Sequence, residues 1–394
     1  MRILVLGAGG FIGGHAAAAL RAAGHDVVAG RIDYTRALAP EDWLPALQGM
    51  QAVVNAVGII RERGSRTFEA LHDAAPRALF DACVSAGVRR VIQISALGAD
   101  AAASSRFHLT KRCADDYLAG LDLEWTIVQP SIVFGEGGAS ARLFALLATL
   151  PVTPLPGAGG QRVQPIHVAD LAAAITRLIE SPLNLKLPAV GPREIALREW
   201  LCLLRTQLGL GPARFIAIPL WAVPVEGETL QMLERGNTAS PALITKVLGR
   251  PPRAPERFVD PGEGKLLANR AKLDWLLPLL RASIALVWIV SGAVSLGLYP
   301  VEESLAMLQR AGLTGAFARL ALYGSALLDI ALGVATLFVG KKILWKLQGA
   351  LILGYSAIIS VFLPELWLHP FGPVLKNLPM LAALVVLHEL TGRR

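Results

Sequence analysis

Short apolar runs recur through the first half of the chain, each four to six residues long and bounded by polar or glycine-rich stretches: Arg2–Leu6, Asp26–Ala29, Ala52–Val57, Arg90–Ile94 and Trp125–Val128. Runs of that length, rich in Val and Ile, predict buried β-strands. Longer stretches between them, notably Ala74–Ala86 and Lys111–Ala119, read as helices. Strand and helix alternating in this way predict a parallel, doubly wound α/β sheet. After Leu276 the pattern changes to long uncharged runs, about Trp275–Leu298, Ala318–Val339, Ile343–Leu363 and Val374–Leu390. Their lengths lie near the ~20 residues that cross a bilayer. They carry no polar stripe of the kind a soluble bundle needs. The expectation is an all-α, four-helix transmembrane bundle, with the last span the shortest.

The first strand runs into Gly7-Ala-Gly-Gly10-Phe-Ile-Gly13 and then a helix-like stretch from Gly14 to Ala23. A basic residue, an apolar stretch and small residues also open a secretory signal, but these glycines argue for strand, tight turn and helix. Gly7, Gly10 and Gly13 hold a GxxGxxG spacing, with Gly9 as an additional small residue. In such a turn one glycine permits the reversal, a second lets a pyrophosphate approach the backbone, and a third lets helix pack on strand. The helix N-terminus then offers free N–H groups to the phosphates. A plain glycine-rich turn is the alternative, and the surrounding strand–helix alternation favours the phosphate cradle.

Composition agrees with a chain in two parts. Of 394 residues 54% are hydrophobic and 17% charged, where a soluble protein has about 25% charged, and the mean hydropathy is +0.50. The formal net charge of +8 does not come from a basic face with interleaved aromatics, so nucleic acid is not an expected partner. Many of the basic residues flank the hydrophobic runs instead. Cys83, Cys113 and Cys202 are far apart and form no metal-binding spacing. They read as buried thiols in a reducing compartment, and no metal is expected.

Five segments occur in order on the expected elements: the glycine turn, Asn55-Ala-Val-Gly58, Ile94-Ser-Ala-Leu-Gly98, Val128-Gln-Pro-Ser-Ile-Val-Phe-Gly135 and Pro165-Ile-His-Val-Ala-Asp170. In these segments the chain resembles the extended and atypical short-chain dehydrogenase/reductases, the NAD-dependent epimerase/dehydratase superfamily. Within it, the chain is most similar to the branch containing the NAD(P)-binding accessory subunit of respiratory complex I. The resemblance implies cofactor contacts from Gly7, Gly10, Phe11, Ile12 and Gly13, from Arg31, from Asn55, Ala56 and Val57, from Lys111 and from Pro130.

The same resemblance implies a catalytic Ser or Thr after the fourth strand and a Tyr-x-x-x-Lys pair on the next helix, whose phenol moves the proton. Ser95 and Lys111 stand at the matching positions, but the tyrosine position is Phe107, which has nothing to ionise. Ser95 is then either a retained substrate contact or a strand-end hydroxyl satisfying backbone. Lys111 is either the ribose-holding lysine or a solvated helix residue. His108 lies about 100° around a helix from Phe107 and Tyr117 more than two turns away, so neither replaces the phenol naturally. Arg31 follows the second strand, where NADP(H)-preferring members carry arginine, so NADP(H) is expected over NAD(H); the alternative is an exposed strand-end arginine. Asp170 reads as a helix N-cap, and His167 as a packed structural residue.

By this reading residues 1–248 form the nucleotide-binding domain, with a smaller substrate-covering part over about 181–248 that includes Trp200 and Trp221. Residues 249–274, opening with a Pro-, Arg- and Gly-rich stretch, form a linker, and 275–394 the membrane domain. The last part resembles the DoxX-like membrane family in Trp288-Ile-Val-Ser-Gly292, Leu328-Asp-Ile-Ala-Leu-Gly333 and the long Pro364–Pro379 segment. Lys265, Arg270 and Lys272 precede the first span, Lys341, Lys342 and Lys346 divide the second from the third, and Arg393 and Arg394 close the chain, against Glu302, Glu303 and Glu365 on the other side. The positive-inside rule then puts both termini and the nucleotide domain in the cytoplasm. Asp329, inside the second span, is either half of an ion pair, with Arg281 the candidate partner if their depths match, or a proton-handling site. Two functions remain open: a membrane-anchored NAD(P)-dependent oxidoreductase or epimerase-like enzyme on a hydrophobic or membrane-held substrate such as a quinone or lipid, or a non-catalytic NAD(P)H-binding structural or redox-sensing protein.

Overall fold

The computed structural model describes residues 1–222, 235–370 and 372–392; Phe371, Arg393 and Arg394, which figure in the sequence expectations, lie outside the described residues. The chain divides into two compact units, Met1–Ala271 and Lys272–Arg394. In the first, β1 (Arg2–Leu6), β2 (Asp26–Gly30), β3 (Ala52–Asn55), β4 (Arg90–Ile94), β5 (Glu124–Pro130) and β6 (Leu185–Ala189) form one sheet in the order β6-β5-β4-β3-β1-β2. Every pairing in it is parallel. Side chains of β1 alternate between the two faces: Ile3 and Val5 enter the core that α1 (Phe11–Ala22) helps to build, and Leu4 and Leu6 the core shared with α2 (Ala75–Ser85) and α3 (Arg106–Ala119). Because both faces are covered, the strands read in sequence as continuous apolar runs rather than alternating ones. The chain order reverses at β1, whose neighbours are β2 and β3. In such sheets the crevice at the carboxyl ends beside the reversal takes ligands.

A third core lies beyond this sheet, where Trp200 packs edge-on against Phe134 and Phe258 with ring centroids 5.4 Å apart in each case. It corrects the expected linker. Phe258 and Val259 are buried with Trp200, so the Pro-rich stretch is held by the first unit; burying one such side chain is worth about 2 kcal/mol. Two other expectations change. The N-cap of α4 (Val168–Glu180) is His167, whose side chain accepts from the amide of Ala169. Asp170, 1% exposed, instead accepts from the Arg250 guanidinium at 2.5 Å and from the Arg253 amide at 2.6 Å. Of the cysteines only Cys83 is buried, which pushes its thiol up to about 12; Cys113 and Cys202 are exposed.

The second unit carries the rest of α5 (Gly264–Ala293), then α6 (Val301–Arg310), α7 (Gly315–Phe338), α8 (Lys342–Phe362) and α9 (Asn377–Leu390). Three helices among the described residues are long and apolar enough to cross a membrane: Gly264–Leu298, Gly315–Phe338 and Lys342–Phe362. The fourth expected span is a 14-residue helix, about 21 Å long against a hydrocarbon core of about 30 Å. Small residues let the helices close on one another: a Cβ on Gly333 would stand 2.9 Å from the Ala285 carbonyl oxygen, and one on Gly292 2.5 Å from that of Ala326. Inside, fully buried Gln348 accepts from the Trp288 indole at 3.2 Å and donates to Thr336 Oγ1 at 2.6 Å. Outward positions are apolar, with Leu320 71%, Phe338 80% and Val361 71% exposed, as lipid-facing positions are. The proposed Arg281–Asp329 pair is absent: Arg281 donates to the carbonyls of Thr336, Leu337 and Val339 at the end of α7, while Asp329 accepts from the Tyr355 hydroxyl at 3.4 Å.

Candidate functional site

The glycine turn joins β1 to α1 by close backbone approach. Gly7 has φ +79°, and a Cβ there would sit 2.9 Å from the Ala56 carbonyl oxygen; only glycine fits both constraints. The amide of Gly10 donates to the Gly7 carbonyl at 2.8 Å, and a Cβ on Gly13 would run into that same carbonyl. Gly10 caps α1 without a side-chain bond, leaving first-turn N–H groups for a ligand. Beside them opens a cavity of about 460 Å³ lined by Ala8, Gly9, Gly10, Phe11, Gly137 and their neighbours. The first-turn N–H donors suit a pyrophosphate, with Glu136 the one carboxylate on the lining. Ile12 is half-buried on the first turn of α1, and the Phe11 ring fills the space that a Cβ on Gly138 would enter, at 2.8 Å.

Asn55 is fully buried at the end of β3, accepting from the Tyr34 hydroxyl at 2.7 Å and the Val57 amide at 3.3 Å and donating to Gln93 at 2.8 Å. Its side chain therefore braces the turn, while Ala56, whose amide donates to the Leu6 carbonyl, and half-buried Val57 lie beside Gly7. Pro130 is buried, and its carbonyl accepts the Leu97 amide at 3.0 Å. Arg31 lines a second cavity of about 450 Å³, together with Gly7, Asp33, Thr35, Val57 and Arg66.

Lys111 is 4% exposed on α3, and its ammonium donates to the Ile94 carbonyl at 3.1 Å and the Val57 carbonyl at 3.4 Å, tying the ends of β4 and β3. It is not a solvated helix lysine. Burial lowers its pKa to about 8, with Asp115 opposing. Ser95, 6% exposed, donates to Asp115 at 2.5 Å rather than to backbone. Asp115 has no exposure, and burial raises its carboxyl to about 6 against the bond from Ser95 and the charge of Lys111. Asp115 escaped the sequence reading, although its place four residues after Lys111 puts the two on one helix face.

Phe107 is half-buried and meets three rings edge-on: Phe68 at 5.8 Å, His72 at 5.3 Å and His108 at 5.2 Å between centroids. His72 was also missed. It is fully buried on a π-helical turn, Glu69–Ala74, where its Nε2 accepts from the Ile59 amide at 3.0 Å. Burial and the nearby Lys111 charge lower its pKa to about 2, so the ring is neutral. Tyr117 donates to Asp81 at 2.7 Å and so stands committed elsewhere. His108 pairs with Ser105 at 3.0 Å.

These features define a dinucleotide-binding Rossmann domain joined to a membrane domain, and comparison with known proteins agrees. Residues 7–182 match the NAD(P)H-binding family model, and residues 285–385 the DoxX-like family. The chain thus resembles NAD(P)H-binding proteins over its first part and DoxX-like proteins over its last, where its three long apolar helices are of a length and composition that suit a membrane. Over 158 residues it is 30% identical to the ceramide reductase of Caulobacter vibrioides, covering 40% of this chain and 48% of that one. Over 178 residues it is 29% identical to the mouse mitochondrial NADH dehydrogenase [ubiquinone] 1 alpha subcomplex subunit 9, covering 44% and 46%. The chain spans about half the length of these curated relatives. Among solved structures, the human epimerase family protein SDR39U1 with NADPH superposes with a TM-score of 0.55 at 21% identity, over 68% of this chain and 99% of that one. MoeE5 with UDP-glucuronic acid and NAD gives 0.52 at 21%, over 64% and 94%. At such identity these two neighbours speak for the fold.

Proposed function

We propose that the protein is a membrane-anchored NAD(P)H-dependent oxidoreductase acting on a hydrophobic, membrane-held substrate, a lipid or quinone carbonyl. Burial of Lys111 between the ends of β3 and β4, beside the glycine cradle, carries the reading. An ammonium so deeply desolvated is costly, and anchoring a nicotinamide ribose is a function that offsets the cost. Hydride exchange is the chemistry a bound nicotinamide supplies. Ser95 lies one residue beyond Ile94, whose carbonyl holds Lys111, and would meet a substrate oxygen only by turning its hydroxyl away from Asp115. Ceramide reduction in the Caulobacter relative is consistent with a lipid substrate. Arg31 in the second cavity favours NADP(H) over NAD(H), and the distribution of Lys and Arg favours a cytoplasmic nucleotide domain.

A second reading rests on Phe107. Its edge contacts with Phe68, His72 and His108 fill the place of the missing phenol with packed rings, which suits an NAD(P)H-binding structural or redox-sensing protein. Calorimetry of NADPH and NADH on detergent-purified protein, with Gly10→Asp as the blocked control, tests the shared premise. Turnover of long-chain ketones and quinones by the wild type and by Phe107→Tyr then separates the two. Activity in either form supports the enzyme, and cofactor binding without turnover in both supports the second reading.

A further inference from the structure

The cavity at the end of β2 receives a second arginine that comes from a different part of the chain. After β3 the chain forms a tight hairpin in which Arg63 and Arg66 exchange backbone hydrogen bonds at 3.1 and 3.0 Å, with Gly64 at φ +56° making the reversal. The hairpin brings Ser65 and Arg66 into the cavity that Arg31, Asp33 and Thr35 line from β2. Its base is fixed. Glu62 accepts the Phe68 amide at 2.7 Å with one oxygen and the Arg106 guanidinium at 3.1 Å with the other, and Arg106 also donates to Glu69 at 2.7 Å. The first residue of α3 thus staples the strap at the side away from its tip.

Charge in the cavity favours an anion. Among the described residues neither the Arg31 nor the Arg66 side chain donates a hydrogen bond to a protein acceptor, so both guanidiniums keep their forks free. The one carboxylate there, Asp33, is engaged by its own turn: Oδ1 accepts from the Thr35 amide at 3.0 Å and the Thr35 hydroxyl at 2.8 Å. Those bonds, more than the positive charges of Arg36 and Arg66, hold its carboxyl below the usual range. Two free planar forks and a hydroxyl-bearing turn lining one cavity are the kind of donors that a phosphate monoester takes.

We propose that Arg66 is the second half of a 2′-phosphate clamp, delivered by the stapled hairpin 63–66 to face the same adenine-side ribose phosphate of NADP(H) as Arg31. The proposal rests on the NAD(P)-binding reading and adds to it a specificity-determining residue outside the Gly-rich turn and the strand-end arginine. A single arginine at a strand end leaves the phosphate open to solvent on its other side; a second from the strap closes it and makes the strap itself sensitive to which cofactor is bound.

Calorimetric titration of the full-length protein in detergent with NADPH and NADH, on the wild type, Arg66→Gln, Arg66→Lys and Arg31→Gln, tests this. Arg66→Gln should weaken NADPH about tenfold or more, the loss expected of a charge-assisted phosphate contact, and leave NADH within about twofold. Arg66→Lys should recover part of the loss. Unchanged NADPH binding in Arg66→Gln, or equal weakening of both cofactors, overturns the clamp while leaving the cofactor site standing. Wild-type protein that prefers NADH also overturns it. Binding of neither cofactor by the wild type overturns the cofactor reading, and the clamp with it.

Discussion

The hydroxyl of Ser95 donates to the carboxylate of Asp115 at 2.5 Å, and Asp115 is wholly shut off from solvent. A carboxyl in that place carries a pH signature. Its pKa in the fold is about 6 against 3.8 ordinarily, so the folded protein holds the proton more tightly than the unfolded chain. The stabilising contribution is complete below about pH 4 and is lost as the pH rises through about 6, a change on the order of 3 kcal/mol. Asp115→Asn keeps an acceptor for Ser95 and has no charge to bury. The difference in unfolding free energy between the two proteins should therefore move in favour of the variant from pH 4 to 7. A flat difference over that range would show the carboxyl to be ionised throughout.

His72 has the opposite sign. Its pKa lies near 2 in the fold and 6.5 ordinarily, so its contribution is complete above about pH 6.5 and is lost as the pH falls. His72→Gln retains an acceptor for the Ile59 amide without a titrating group. Below pH 6 the wild type should lose stability relative to this variant by about 1.4 kcal/mol per pH unit, read from denaturant midpoints at a series of pH values.

The Gly13 Cα faces the carbonyl of Gly7 so closely that a methyl group has no room. Gly13→Ala should force the turn open and reduce NADPH affinity by about 100-fold, the scale of about 3 kcal/mol for a misplaced phosphate cradle. Ala22→Ser, exposed at the far end of α1, serves as the control for mere substitution. Equal affinity in Gly13→Ala and wild type would mean that the cofactor does not use this turn.

In the membrane unit, Gly333 lets α7 approach α5, where a Cβ would meet Ile289 Cγ1 at 2.6 Å. Gly333→Val should separate the two helices and lower the detergent concentration at which the bundle unfolds, at a cost of about 1–3 kcal/mol. Gly354→Val, on α8 with no heavy atom within 4 Å of its Cβ, should be tolerated. Equal effects of the two changes would show the α5–α7 contact to be loose.

Much of the fold was legible because a central strand of a doubly covered parallel sheet is apolar on both faces, and a four- to six-residue run such as Ala52–Val57, too short for a helix and rich in Val, points to one. The glycine turn was legible because positive φ and a missing Cβ leave few alternatives to glycine. Other features depended on the third dimension. Asp115 sits in the polar-looking stretch Arg112-Cys-Ala-Asp-Asp116, where nothing in composition distinguishes the buried carboxylate from its exposed neighbour Asp116. Arg66 lies 35 positions from Arg31 in sequence, and only the hairpin after β3 brings them to one cavity. Proline content at 249–264 reads as a linker although Phe258 and Val259 fasten the stretch to the Trp200 core, and Asp170 near a helix start reads as its cap although His167 fills that role.

The wide π-helical turn at Glu69–Ala74 holds one residue more than an α-helix would over the same rise. Deleting a single residue there would relax the turn to an ordinary helix and swing whatever precedes it by about 100°, carrying the imidazole of His72 out of register with Ile59 and Phe107. The extra residue therefore works as an insertion whose phase is its meaning: it decides which side of the turn carries His72 and so whether the ring reaches the Ile59 amide.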